Sequence, residues 1–299
     1  MNLHALRIFT NVAKLGSITE AANLLRISQP AVTAQVRKLE REIGVKLITG
    51  KGRGIQLTTE GKFLFEQGLR LFHLEEQIDE KFNTFLEKKQ KVQIASNYIA
   101  MNYILPPIIA GYKLENPDVD VNVSLGIVPS VERRLLNYES DCGFVVQSNI
   151  GHEDLHFEKI LDVPFWFVVH PSHPLANKEV TIFDLSEHDF IYRERGSSTR
   201  DLLEAIFYTH NCPLPKLGLQ MQGLPESIKV VEAGFGMLLA PSCSVIEALA
   251  QGRLRRVFVE QAEVNQSLFI CTRKMDENEH PFVNYFKENL IKSENIVDT

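Results

Sequence analysis

Cysteine is scarce in this 299-residue chain, and no two cysteines form a C-x-x-C pair. The four residues are Cys142, Cys212, Cys243 and Cys271. Disulfide frameworks and zinc knuckles need closely patterned cysteines, so this spacing argues against both and predicts reduced thiols in a cytoplasmic protein. His170 and His173 have a spacing that suits a metal ion, but no cysteine or carboxylate partner is evident near them. We interpret them as solvated loop residues.

Motifs of catalysis and nucleotide binding are also missing. The chain has no G-x-S-x-G elbow, no Walker A loop and no H-E-x-x-H helix. The G-x-G at residues 234–236 lacks the rest of a dinucleotide fingerprint and predicts only a turn into a strand. The sequence therefore predicts no catalytic residue, no metal site and no cofactor.

Long apolar runs are absent as well. Residues 92–112 carry no charge, but Gln93, Asn97, Asn102 and the prolines at 106 and 107 interrupt the run, whereas a bilayer span is more uniformly apolar. The amphipathic amino terminus has no long apolar segment of the kind found in signal peptides. We expect no membrane partner and a cytoplasmic location.

Positive charge is concentrated at the amino terminus. Residues 1–60 contain nine Lys or Arg and four acids, a balance of +5, whereas the whole chain has 32 basic and 38 acidic residues, a balance of −6. The remaining 239 residues therefore carry −11. A basic head on an acidic body indicates that only the head meets a polyanion.

Three short helices are predicted in this head. Apolar residues at helical spacing predict a first helix over residues 3–15, and the capping box S-I-T-E at Ser17 predicts a second helix over 18–26. Ser28 caps a third helix, which tolerates Pro30 in its first turn. The ISQP joint and the small residues around it are typical of a helix-turn-helix.

The polar side of the third helix predicts a DNA-reading surface, and LITGKGRGIQLT predicts a basic β-wing after it. Thr33 and Gln35 suit hydrogen bonds to base edges, and basic residues suit phosphates. The predicted DNA-binding residues are Ser28, Gln29, Pro30, Thr33, Gln35, Arg37, Lys38, Lys51 and Arg53. The alternative is an ordinary three-helix subdomain with a solvated polar face.

The segments GSITEAANLLRISQPAVTAQVRKLEREIGVKL and GRGIQLTTEG resemble the DNA-binding region of LysR-type transcriptional regulators, and the layout of the whole chain is similar to that family. The resemblance implies an α+β multidomain protein: a winged helix-turn-helix, a long linker helix, and a two-lobed α/β effector domain similar to periplasmic binding proteins. In the wing, Ile48 and Gly50 replace the usual Phe and Arg, so Lys51 or Arg53 is expected to supply the missing phosphate contact.

A long helix is predicted from Thr59 to about Lys88. Leu64, Leu71, Ile78 and Phe85 recur every seven residues, and Leu74 and Phe82 fill intermediate positions. This repeat predicts coiled-coil-like pairing, because so long a helix is unlikely to stand alone in water. The alternative is one amphipathic helix lying on its own domain. The resemblance implies that this helix makes the dimer and that a tetramer is common.

Strands and helices alternate after this helix, which predicts α/β lobes built on parallel sheets, with two crossovers and a cleft between the lobes. The predicted domains are a DNA-binding domain (1–58), a linker and dimerisation helix (59–90) and an effector-binding domain (91–299). Within the last, lobe I covers about 91–161 and 268–299, and lobe II covers about 162–267.

Polar residues that follow predicted strands mark a candidate effector site. Strand ends and helix amino termini face the crevice in such folds, and their free N–H groups favour an anion, with Arg195 or Arg200 as possible partners. The predicted effector-binding residues are Ser96, Asn97, Tyr98, Ser130, Ser197, Ser198 and Thr199. Ser198 replaces a glycine usual in the family, and a serine here could equally be only a helix cap.

These features predict a sequence-specific transcriptional regulator that binds double-stranded promoter DNA, itself and a small-molecule effector. Two alternatives come from other classes of protein: an α/β enzyme with an appended DNA-binding head, and a solute-binding protein. The lack of a nucleophile, base or metal cluster argues against the enzyme. The basic head and the lack of a signal peptide argue against the solute-binding protein.

Overall fold

The computed structural model describes residues 1–51, 54–87, 90–148, 150–260, 264–276 and 280–290. The chain divides into two compact units, one containing Met1–Gln90 and the other containing Lys91–Leu135 and Ser140–Thr299. In the described ranges, no helix has both the length and the apolar character needed to cross a membrane.

The first unit contains four helices and a two-stranded antiparallel ribbon. Its elements are α1 (Leu3–Leu15), α2 (Ile18–Leu25), α3 (Gln29–Ile43), β1 (Ile48–Lys51), β2 (Gly54–Leu57) and α4 (Thr59–Glu87). The predicted first helix is confirmed. The second ends one residue early, because Arg26 takes a left-handed conformation with φ 55° and stops it. The hydroxyl of Ser17 accepts the Glu20 amide at 3.3 Å, as the capping box predicts.

Apolar residues of α1, α2 and α3 form the core of this unit. The fully buried members include Leu6, Phe9, Val12, Ala21, Val32, Val36 and Leu39. Full burial of side chains such as these stabilises a fold by about 1.5–3 kcal/mol each. The small side chain of Ala21 lets α2 approach its neighbours closely. Ile43, the last residue of the predicted apolar stripe, remains 39% exposed.

Helix α4 packs its first half against α1. A Cβ on Gly68 would lie 2.5 Å from the Thr10 hydroxyl, so glycine permits the close approach. The Arg7 guanidinium lies 4.2 Å from the centre of the Phe72 ring and pairs with Glu75. The later apolar residues of the helix are exposed in the single chain: Leu71, Leu74, Ile78 and Phe82. The side chain of Phe85 lies outside the described part.

The second unit is built on a ten-stranded mixed sheet. Its strands are β3 (Lys91–Ser96), β4 (Asp120–Leu125), β5 (Cys142–Gln147), β6 (Leu155–Val169), β7 (Glu179–Val180), β8 (Asp189–Arg193), β9 (Lys216–Met221), β10 (Met237–Pro241), β11 (Arg255–Val259) and β12 (Asn265–Arg273). The main order is β4-β3-β5-β12-β6-β10-β8-β9, and β11 pairs with β6 and β7.

Two parallel blocks stand at the ends of this sheet, joined by long antiparallel strands. β4, β3 and β5 are mutually parallel, as are β10, β8 and β9. The 15-residue β6 pairs with β12 in its first part and with β10 and β11 in its last part. The prediction of parallel sheets is thus right for each block, while the strands that cross between the lobes run antiparallel.

Seven helices of this unit are described. They are α5 (Leu105–Glu115), α6 (Val128–Leu136), α7 (Ile182–Ser186), α8 (Ser198–Thr209), α9 (Leu224–Glu232), α10 (Ser242–Ala250) and α11 (Pro281–Leu290). A π-helical turn, Ala100–Ile104, leads directly into α5. The sequence pattern did not predict this turn, the short α7 or β7.

The two parallel blocks share one topology. β3 lies between β4 and β5, and β8 lies between β9 and β10, so in each block the chain moves first to one side of the middle strand and then to the other. In open α/β sheets the crevice outside the carboxyl end of such a strand binds ligands. The segments after β3 and β8 therefore occupy the ligand-binding position of such sheets.

Candidate functional sites

Helix α3 begins with a serine cap and turns one side toward the core. The hydroxyl of Ser28 accepts the Ala31 amide at 3.3 Å, and Pro30 lies in the first turn, where its missing N–H costs no helical bond. Val32, Val36 and Leu39 are 0–1% exposed. Apart from Glu40, which is also buried, the other residues of the helix are partly or fully exposed to solvent.

One flank of α3 forms a groove of about 910 Å³ with the segment that follows the helix. Of the predicted DNA-binding residues, Gln29, Pro30, Thr33 and Arg37 line it. Arg41, a third basic residue of α3 expected to face phosphates, and Lys46 line it as well. The groove thus combines hydrogen-bonding side chains with three basic residues, the combination that base edges and phosphates require.

Gln35 and Lys38 do not line this groove. Successive helical residues are about 100° apart, so Gln35 lies about 200° around the axis from Thr33, on the other flank of the buried stripe. Lys38 is exposed to solvent between the two flanks. The two predicted base-reading residues therefore cannot both be central to one docking of this helix.

The ribbon β1–β2 is the predicted wing, with Ile48 paired to Leu57 and Lys51 paired to Gly54. The backbone of Lys51 belongs to β1; its side chain and the whole of Arg53 lie outside the described residues. The carboxylate of Glu40 on α3 accepts the amides of Leu47 at 2.9 Å and Ile48 at 3.4 Å. This contact joins α3 to the wing.

Thr58 joins the wing to α4. Its hydroxyl donates to the Lys46 carbonyl at 2.7 Å and accepts the Gly61 amide at 2.9 Å, at the start of the helix. Sequence reasoning missed both Glu40 and Thr58, although a T-x-x-G pattern at a helix start gave a signal for the second. α3, wing and α4 thus form one hydrogen-bonded assembly.

In the second unit, Ser96 and Asn97 follow β3 and are buried. Ser96 donates to the Phe144 carbonyl at 3.0 Å. Asn97 donates to the Val146 carbonyl at 2.8 Å and accepts the amides of Val146 and Ala100 at 3.2 and 3.3 Å. Their polar groups fasten β3 to β5 and to the π-helical turn, which leaves little capacity for a ligand.

Tyr98 lies near Arg193, the last residue of β8, and near Glu226 on α9. Burial raises the pKa of its phenol, the Glu226 carboxylate raises it further, and Arg193 opposes them. The rings of Tyr98 and Tyr103 meet edge to face at 6.4 Å and pack on the apolar cluster beneath α9 and α10. Tyr98, which follows β3, therefore packs near the end of β8 and the start of α9.

Ser130 and the segment 197–199 occupy the first turns of α6 and α8. Ser130 is partly buried beside Gly126. Ser197 stands at the cap position of α8 but its side chain accepts no capping hydrogen bond, so its hydroxyl is not used as a cap. Ser198 is partly buried, and Thr199 is 4% exposed.

The arginines near α8 differ in their hydrogen-bond partners and in their exposure. Arg200 donates to Glu204 at 2.8 Å and to Gln220 at 3.0 Å. Arg193, which the sequence analysis did not single out, is 7% exposed and donates to both oxygens of Glu194 at 2.9 Å. Arg195 is exposed.

Gln266 on β12 is a buried polar residue beside α8 that sequence reasoning missed. It is 2% exposed, its Nε2 donates weakly to the Ser198 carbonyl at 3.5 Å, and its Oε1 has no hydrogen-bond partner. Because Ser198 offers a carbonyl, the amide nitrogen must face it and the oxygen must face away. An unsatisfied buried acceptor is costly, and this oxygen is open to a hydrogen-bond donor beside α8.

No group of three or more His, Cys, Asp or Glu suited to a metal ion occurs in the described ranges. His170 bonds Ser172, and the His173 ring lies 5.0 Å from that of His188. Burial lowers the pKa of His173, and the charge of His188 lowers it further.

Two family models match the chain. One, described as bacterial regulatory helix-turn-helix protein, lysR family, matches residues 3–62, and one described as LysR substrate binding domain matches residues 87–290. The uncharacterized HTH-type transcriptional regulator YeiE of Escherichia coli (strain K12) is 30% identical over 271 residues, which cover 90% of each chain. The HTH-type transcriptional regulator GltR of Bacillus subtilis (strain 168) is 29% identical over 255 residues, covering 85% of this chain and 84% of GltR.

The fold is also found among solved structures. The full-length LysR family regulator CbnR, in complex with its target DNA, superposes with a TM-score of 0.68 at 20% identity, covering 98% of this chain and 99% of CbnR. At this identity the likeness concerns the fold.

Proposed function

The chain belongs to the LysR family of bacterial transcriptional regulators, and we propose that it reads its operator with the groove flank of α3 and responds to a small molecule held between the ends of β3 and β8. Membership makes the chain a DNA-binding, effector-responsive regulator. It leaves no support for an enzyme with an appended head or for a solute-binding protein.

The observation that carries the DNA-binding proposal is the groove along α3, where Thr33 and Gln29 stand beside Arg37, Arg41 and Lys46. We assign base contacts to the first pair and phosphate contacts to the basic residues. Gln35, on the opposite flank of α3, and Lys38, on its solvent side, remain proposed DNA contacts. Ser28 and Pro30 order the first turn, and the wing adds Lys51 and Arg53.

The exposed apolar residues of α4 support self-association through this helix. Leu71, Leu74, Ile78 and Phe82 form a stripe that a partner helix would bury in a dimer. A dimer presents two copies of α3 and so calls for two half-sites in the operator. A tetramer of two such dimers is our proposal for the full assembly.

For the effector we propose a small anion that also carries a hydrogen-bond donor. The first turn of α8 supplies N–H groups and the hydroxyls of Ser197, Ser198 and Thr199, which suit an anion. The unpartnered Gln266 oxygen suits the donor. Tyr98 and Ser130 stay proposed contacts, whereas Ser96 and Asn97 are proposed to position the site through the backbone.

The proposed domain limits are 1–58 for DNA binding, 59–90 for the linker helix and 91–299 for effector binding. Within the last domain, the proposed lobes are about 91–161 with 268–299, and about 162–267. A regulator of promoters acts where the chromosome is, so we propose a cytoplasmic site of action.

Selection of binding sites from a pool of random duplexes with the full-length protein tests the proposed function. We expect enriched sequences with two half-sites related by two-fold symmetry. A pool that gains no sequence preference over successive rounds would reject sequence-specific regulation by this chain.

A further inference from the structure

A second cavity lies where β6, β7 and β11 meet, and none of the residues proposed for the effector site lines it. Its volume is about 460 Å³. Its lining includes Pro164, Trp166, Glu179, Arg256, Phe258 and Val264. This volume falls in the range of small-molecule sites.

The guanidinium of Arg256 is held between two aromatic rings in this cavity. Its central carbon lies 4.4 Å from the centre of the Trp166 ring and 4.9 Å from that of Phe258. Such cation–π contacts fix the plane of a guanidinium but satisfy none of its N–H donors. The donors of Arg256 therefore have a fixed direction and are open to an incoming acceptor.

Arg256 has no acidic partner among the described residues, and its buried Nε has no hydrogen-bond partner. Glu179 lines the same cavity without forming an ion pair with it. Four other buried or half-buried arginines of this unit are paired with acids: Arg193 with Glu194, Arg200 with Glu204, Arg253 with Glu232 and Arg273 with Asp276. Arg256 differs from these four in having two aromatic rings as its neighbours in place of an acid.

Burial lowers the pKa of Arg256, as expected where no acid offsets the loss of hydration. An arginine side chain nevertheless stays charged at neutral pH. The cavity therefore contains a fixed positive charge beside apolar walls, and a ligand that brings both a negative charge and an apolar body would match it.

We propose that this cavity is a second ligand site, which binds a small planar organic carboxylate through Arg256. A carboxylate accepts two parallel hydrogen bonds from a guanidinium, and the apolar part of the ligand packs on Pro164 and Val264. The Glu179 carboxylate disfavours molecules with several negative charges, such as nucleotides. This site is independent of the proposed effector site.

The neighbouring Arg255 offers a matched control. Adjacent residues of a strand point to opposite faces of the sheet, so Arg255 faces away from Arg256. The Nη1 of Arg255 donates to the Leu254 carbonyl at 2.8 Å. Arg255→Gln removes the same charge from the same strand and leaves the proposed donors in place.

Titration calorimetry of the full-length protein tests the site, with benzoate as the probe and its neutral analogue benzamide as the comparison. We expect benzoate to bind at least tenfold more tightly than benzamide. Arg256→Gln should weaken benzoate binding at least tenfold, Arg256→Lys should weaken it severalfold because the planar fork is lost, and Arg255→Gln should leave it unchanged. If Arg256→Gln fails to fold, the Arg256→Lys result decides.

Absence of benzoate binding to the wild-type protein overturns the proposal, and so does equal binding by wild type and Arg256→Lys. Gln266→Leu separates this site from the cleft. If Gln266→Leu abolishes benzoate binding while Arg256→Gln retains it, the probe occupies the cleft and the second site is rejected. Retention by Gln266→Leu together with loss by Arg256→Gln supports the proposal, whatever becomes of the proposed effector site.

Discussion

Glu40, within α3, accepts the backbone amide of Leu47 at 2.9 Å, and the same carboxylate pairs with Lys46 at 2.9 Å. Glu40 is only 6% exposed, so an acid of the reading helix is buried to fix the start of the wing. The helix and the wing are therefore presented to DNA as one body. This arrangement makes the stability of the reading head depend on a single ionised carboxylate.

Replacing that acid tests the arrangement. Burial acts to raise the pKa of Glu40, but hydrogen bonds from Lys46, Leu47 and Ile48 outweigh it and hold the pKa below its ordinary value of 4.5. We expect Glu40→Gln to lower the free energy of unfolding at neutral pH by about 1–3 kcal/mol, the cost of leaving buried donors without a charged acceptor. Chemical denaturation, followed through the unfolding transition of the first unit, measures this change in the free energy of unfolding.

The pH dependence of the same variant has a definite sign. Since the folded pKa is depressed, the stability from Glu40 is complete above pH 4.5 and is lost as the pH falls through the folded pKa. The difference between wild type and Glu40→Gln should therefore shrink as the solution is acidified. Glu66→Gln, at an exposed position of α4, should not alter the transition. A constant difference across the acid range would contradict this role for Glu40.

Gly61 at the start of α4 should tolerate no side chain. A Cβ there would lie 2.0 Å from the Leu47 carbonyl oxygen, which is backbone and cannot move without disturbing the wing. We expect Gly61→Ala to destabilise the protein by about 3 kcal/mol or more. Gly50→Ala, in the wing itself, meets nothing within 4 Å and should be nearly neutral. Equal thermal midpoints for the two variants would show that the close approach does not exist in solution.

Thr33 and Gln35 should differ in what they contribute to DNA binding, because they lie on opposite flanks of α3. Against duplexes from the selection experiment, Thr33→Ala should reduce specific affinity by about 1–3 kcal/mol with little effect on random DNA. Arg37→Ala should weaken both and reduce the slope of the salt dependence by about one unit. Gln35→Ala should also lower specific binding more than non-specific binding, but by less than Thr33→Ala does, because Gln35 lies outside the groove. Equal losses on both DNAs would remove Gln35 from base recognition.

Gln266 and Asn97 form a matched pair of buried amides. Asn97 has its hydrogen bonds made, so Asn97→Leu should destabilise the second unit by several kcal/mol. Gln266 lacks a partner for Oε1, so Gln266→Leu should leave the melting temperature of the ligand-free protein unchanged or higher. Differential scanning calorimetry compares them. A loss of stability as large as that of Asn97→Leu would mean that Gln266 is structural and serves no ligand.

Local sequence patterns predicted most helices and strands well. The steps of four and three in Val32, Val36 and Leu39 identified the buried side of α3, and Ser28 marked its first residue. Strand alternation and strand-end rules selected the segments after β3 and β8, which are the middle strands of the two parallel blocks. Residues that are close together in the sequence determine these helix and strand patterns.

Contacts between distant residues were beyond the sequence alone. The polar groups of Ser96 and Asn97 form hydrogen bonds with β5, nearly fifty residues away in the sequence. The sequence alone predicted ligand contacts for these two residues, whereas in the fold they hold two strands together. Gln266 approaches Ser198 only because β12 crosses between the lobes. The π-helical turn before α5 was also not predicted, since its extra residue leaves no mark in an uncharged apolar run.

The most direct test of the central claim is fluorescence anisotropy of a selected operator duplex, titrated with wild-type protein and with the double variant Arg37→Glu, Lys38→Glu across a range of salt concentrations. The account predicts that wild-type affinity falls steeply with added salt, as release of counterions from several phosphates requires, and that the double variant loses most of its affinity at low salt. If the double variant binds the operator in dilute buffer as tightly as the wild-type protein does, the claim that α3 is the element that holds the DNA is contradicted.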